Sequence, residues 1–175
     1  MMRLPKKEKA MFTKLIAEFE VVGATDVFVV SEHFKLNKDE DAPVKIAYLN
    51  DTFKKLFSDV LEGKAQTKKL TCKELCGYAK PEIFVGQDLP YATLLLQHVW
   101  TLIKEQGHGE DGHLPTNGTP SILFVVSQKT KKIWVVCFSW HSAKADGPHG
   151  EGWIIKAYPL KEDKGWDKGT FVFLG

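Results

Sequence analysis

SILFVVSQ (121–128), KTK (129–131) and KIWVVCFSWH (132–141) are two near-continuous apolar runs split by three polar residues. Runs of this length, rich in β-branched and aromatic residues and joined by a short polar turn, predict a β-hairpin. In the second run Trp134, Val136, Phe138 and Trp140 alternate onto one face, with Ile133, Val135, Cys137 and Ser139 on the other. Both parities are apolar, so both faces of this sheet are expected to be covered, or one of them used for contact.

Working outward, 153–158 and 171–174 read as further strands and complete a C-terminal meander. Two more strands are expected at 26–36 (DVFVVSEHFKL) and 43–49 (PVKIAYL), joined by the polar stretch 37–41 as a hairpin loop. Three helices and a short fourth complete the set. Met11, Leu15, Ile16, Phe19 and Val22 have helical spacing over 6–22, with Gly23 as the stop. Asn50 or Asp51 caps a helix through Phe53, Leu56, Phe57, Val60 and Leu61. Thr71 with Glu74 makes a capping-box pattern for a short helix through Cys76, preceded by a basic link. Asp88 caps a helix over 89–106, whose apolar residues from Leu94 to Ile103 cover more than one stripe and make it the central helix. The fold expected is one α+β domain over 1–175: a mostly antiparallel sheet of about six strands with helices packed on it.

Composition bounds function only loosely. The 175 residues suit one domain, and 43% hydrophobic with 26% charged residues excludes a wholly disordered or low-complexity chain. Twenty-four basic against 22 acidic residues leave a net charge of +2, too small a field to name a partner. The basic N-terminus lacks the apolar core of a signal peptide and no run approaches a membrane span, so a cytoplasmic protein without membrane association is expected. Cys72, Cys76 and Cys137 fit neither a disulfide framework nor a thiolate zinc site.

One constellation carries chemistry. The hairpin turn at 129–131 places the start of its first strand and the end of its second at the opposite pole, where the loops 107–118 and 142–152 both begin or end. They bring His108, His113, His141 and His149 with Glu110, Asp111, Asp146 and Glu151. Imidazoles and carboxylates are ligands for a divalent transition metal, with His108, His113, His141, His149 and Glu151 as the candidate set. No ligand motif such as HExxH is present, and solvated loop residues are the plain alternative. A metal-free variant uses His141 and His149 as base and acid with Lys144 steadying charge, the equipment of phosphodiester cleavage.

Other motifs fail on context. Gly107 to Gly112 fits GxGxxG but follows a helix rather than a strand, and neither GxxxxGK[ST] nor GxSxG occurs. Lys54, Lys55, Lys64, Lys68, Lys69 and Lys73 would meet nucleic acid without base specificity, since Arg3 is the one arginine. Trp134, Trp140, Trp153 and Trp166 are core residues or, if helices cover only the opposite face, an interaction surface for a protein partner. The function expected is therefore a non-catalytic binding protein that uses aromatic strands and long polar loops and needs no cofactor. The alternative is a small metal-dependent or histidine-based hydrolase at the histidine-rich pole.

Overall fold

The computed structural model describes residues 13–85, 93–144, 147–161 and 164–175. In chain order its elements are β1 (Thr13–Val21), β2 (Phe28–Val29), α1 (Val30–His33), β3 (Ile46–Leu49), α2 (Asp51–Phe57), β4 (Leu61–Glu62), β5 (Lys68–Leu75), α3 (Glu82–Val85), β6 (Thr93–Leu94), α4 (Leu96–Glu105), β7 (Ser121–Val126), β8 (Ile133–His141), β9 (Gly152–Pro159) and β10 (Phe171–Leu174). The main sheet runs β1-β5-β10-β7-β8-β9-β3, with β6 also on β7, and a second small sheet pairs β2 with β4. Helices lie against a mostly antiparallel sheet, so the chain is an α+β fold.

The hairpin at the centre pairs Ser121 with Phe138 and Val126 with Ile133, and β9 continues it in antiparallel register from Trp134–Pro159 to His141–Gly152. The last strand leaves this meander. β10 crosses to the far side of β7 and lies parallel to Ser121–Leu123, while β6 takes the remaining edge at Phe124 and Val125. Alternation then sorts the side chains. Leu123, Val125, Val136, Phe138, Trp153 and Ile155 face α4, whose Leu96, Val99, Leu102 and Ile103 are fully buried. Ile122, Phe124, Val135, Cys137 and Val172 face the other way, beneath Ile83, Phe84 and Trp166.

Several expectations are corrected. Of the helix read over 6–22, residues 6–12 lie outside the described part and Thr13–Val21 is strand β1, antiparallel to β5. Leu15 and Phe19 satisfy a helical period, but Ala17, Phe19 and Val21 satisfy a strand period equally, and pairing with β5 decides between them. The short helix read from Thr71 is strand β5 itself, with Leu70 and Cys72 buried on one side. The strand at 26–36 shrinks to Phe28–Val29 before α1, and its hairpin with 43–49 does not form: Asn37–Ile46 is an isolated bridge, and β3 instead lies parallel to β9.

Two helix starts show how differently caps can be read. Asn50 caps α2 through Oδ1 on the Phe53 N–H (2.9 Å), and the same side chain exchanges two bonds with the Ala157 backbone, tying α2 to β9. Of the central helix read over 89–106, residues 89–92 and its expected cap Asp88 lie outside the described part, Thr93–Leu94 is strand β6, and the helix α4 starts at Leu96. Its cap is remote: the buried Glu62 carboxylate accepts the N–H groups of Leu96 and Gln97, both at 2.8 Å. Among the described residues, no helix is long and apolar enough to cross a membrane.

Candidate functional site

β8 and β9 place Ser139, His141, Ile154, Lys156 and Tyr158 on the face of the sheet away from α4, by alternation from Trp140, Trp153 and Ile155. β3 adds Tyr48, which pairs with Ile154 across a parallel ladder. The returning loop then folds over this corner and stacks the His149 ring on Tyr48, with centroids 3.9 Å apart and planes 22° from parallel. Lys38 fastens the loop by donating to the His149 carbonyl at 2.8 Å. Lys156 holds its ammonium 5.8 Å from the Tyr48 ring centre.

His141, His149, Tyr48 and Lys156 thus share one half-exposed patch. The His141 imidazole is held below its ordinary pKa, first by burial and then by the charges of Lys156 and His149. A neutral imidazole beside an ammonium, a phenol and a second imidazole offers hydrogen-bond donors and positive charge to an anion. Lys144, the predicted charge-steadying residue, stands exposed three residues after His141.

The other predicted ligands go elsewhere. His108 is within 2.6 Å of the Ala42 carbonyl through Nε2, and its backbone N–H donates to Glu110 at 2.8 Å. His113 stacks on Phe19 at 3.8 Å, on the α4 side of the sheet. Glu151 accepts from Lys45, a lysine only 4% exposed that also bridges to Glu40. Asp146 lies outside the described residues. Among the described residues, no three histidine, cysteine or acidic side chains come together as a metal-binding group. The sheet itself divides the two loops: 107–118 closes over the α4 side, where Gly109 at φ +78° lies against the Trp140 ring too closely for any Cβ, while His149 caps the opposite face.

The tryptophans are mostly interior. Trp153 is fully buried and donates to the Gln106 carbonyl (3.0 Å), Trp140 and Trp166 are buried, and Trp134 is half-buried with its indole N–H on Thr130. The lysine stretch is dispersed. Lys54 pairs with Asp51, Lys69 with Glu18, and the Lys55 carbonyl accepts from Lys129. Lys64, Lys68, Leu94, Leu95, His98 and Val126 line a cleft of about 430 Å³. His98 there is committed to structure, taking the Leu95 N–H on Nδ1 (3.3 Å) and reaching the Gln66 carbonyl with Nε2 (3.1 Å).

Of the residues gathered at this corner, the sequence reading names His141 and His149 but not Tyr48 or Lys156. A signal for Lys156 was present, as the single charge within the apolar run 153–158. Tyr48 had none, because parallel pairing of β3 with β9 leaves no local turn signature. No protein-family model matches the chain, and comparison with curated proteins and with solved structures likewise finds no match.

Proposed function

We propose that the protein is a non-catalytic binding protein that takes a phosphate group on the patch of Tyr48, His141, His149 and Lys156. The observation that carries this reading is the stacking of His149 on Tyr48 beside the Lys156 ammonium, which gathers donors from three separate segments on one accessible corner. Charge-assisted hydrogen bonds to phosphate oxygens are the strongest use of such a set. Calorimetric titration of the full chain with inorganic phosphate tests it. Saturable binding is expected, weakened ~10-fold or more by Lys156→Gln and again by His141→Ala. No saturable heat, or heat unchanged by both substitutions, would overturn it.

A second reading is a histidine-based phosphodiesterase, favoured by the lowered pKa of His141. His141 would take the proton of an attacking hydroxyl as its oxygen bonds to phosphorus. The leaving oxygen would receive a proton from His149, while Lys156 steadies the charge. Turnover of a ribodinucleotide that is abolished by His141→Ala would select this reading over binding alone.

A further inference from the structure

The segment between β9 and β10 holds a second arrangement that the phosphate reading does not use. Trp166 is fixed there by two reciprocal backbone hydrogen bonds with Ala79, at 2.9 and 2.8 Å, and its ring, 7% exposed, belongs to the buried cluster of Leu75, Ile122 and Val172. The Tyr158 ring meets it edge-on, centroids 5.8 Å apart and planes at 72°. Two rings set nearly at right angles make a corner, with the half-exposed Tyr158 as its outer wall. Into it reaches the ammonium of Lys164, 3.8 Å from the Tyr158 centre and 4.9 Å from that of Trp166. Gly165 lies under the Tyr78 ring so closely that a Cβ would collide with it, which brings a third aromatic ring to the same turn.

The negative faces of aromatic rings attract cations, and a corner of two rings doubles that attraction at one point. The corner already holds a cation, so its electrostatic preference is visible in the fold. An ordinary ammonium gives up strong hydration to sit there. A methylated ammonium is less hydrated and adds apolar contact with both rings, so it suits the same seat better. Lys164 itself is exposed and sits two residues from Trp166, so it competes as a tethered ligand at the millimolar-range effective concentration of a short link.

We infer that the Tyr158–Trp166 corner is a binding site for a quaternary ammonium group, and that Lys164 is its built-in competitor. The ligand could arrive as a trimethylated lysine on a peptide or as a small choline-like molecule. The recognising chemistry is the same for both.

The test uses the full chain and tetramethylammonium chloride, followed through the tryptophan indole N–H resonances, with sodium chloride at equal ionic strength as the control. Lys164→Ala is expected to bind saturably, with a dissociation constant ~10-fold or more below that of the unsubstituted chain. Lys164→Gln should do the same with less change of shape. Adding Tyr158→Leu should abolish the gain, and Tyr158 is half-exposed enough for the fold to survive that change. Equal weak responses in the Lys164 variants and the unsubstituted chain would overturn the site, as would a gain that persists with Tyr158→Leu. Trimethyllysine peptide and choline are then compared on Lys164→Gln: tighter peptide binding assigns a protein source, and equal binding a small molecule, both within the proposed site.

Discussion

Glu62 carries the start of the central helix, although it lies 34 residues before Leu96 in the chain. Its carboxylate is 5% exposed and accepts two N–H groups that the helix cannot satisfy internally. Gln97 completes the joint by donating to the Gly63 carbonyl and accepting from the Ala24 N–H, at 2.8 and 2.7 Å. Glu62→Ala leaves those helix N–H groups buried without partners, which costs about 2–4 kcal/mol in total. Glu62→Gln keeps one good acceptor and should cost about half as much. Urea unfolding midpoints measure both, and an alanine variant as stable as the parent would show that water replaces the carboxylate freely. The sequence offered Asp88 as the cap because capping rules look only at adjacent residues, and a cap supplied by a distant strand has no local signature.

Among the elements, legibility followed burial and locality. The 121–141 hairpin could be read because its partner strands are adjacent in the chain and apolar on both parities. α2 could be read because Asn50 caps it from the neighbouring position. β1 could not, since it is an edge strand half open to solvent, with Leu15 and Ile16 exposed and a register shift between Leu15 and Ala17 that blurs the alternation. The bulge and the charges Lys14, Glu18 and Glu20 are the usual protection of an exposed edge. Centre and edge should therefore respond differently to the same operation. Phe138→Ala, which empties a fully buried position on β8, is expected to cost about 3–5 kcal/mol, whereas Ile16→Ala on β1 should stay within about 0.5 kcal/mol. Thermal or urea denaturation of the two variants checks this, and comparable losses would mean that β1 is covered rather than open.

For the whole molecule, the sheet acts as a partition that pattern reading could not supply. Chain order placed four histidines at one pole, but only the face each side chain occupies decides which of them meet: His141 and His149 lie on the side away from α4, and His113 on the other. Burial on both sides also gives the molecule a pH response. His98, His33 and His141 all have pKa values lowered chiefly by burial, so in the fold they bind protons more weakly than in the unfolded chain. Their stabilising contribution is complete above the unfolded value near 6.5 and is lost as pH falls towards the lower folded values. Glu62 works in the opposite sense. Burial raises its pKa despite the helix N–H groups, so its effect is most favourable below the unfolded value and declines as pH rises through the folded one. Between pH 7.5 and pH 6 it is these three histidines whose shifts make acid destabilising. The urea midpoint should then fall between pH 7.5 and pH 6, and His98→Gln, which cannot gain a proton, should flatten that slope at the expense of stability at pH 7.5. A midpoint that is unchanged or higher at pH 6, or a slope that His98→Gln leaves intact, would show that the imidazole holding the Leu95 N–H and the Gln66 carbonyl does not set the acid response.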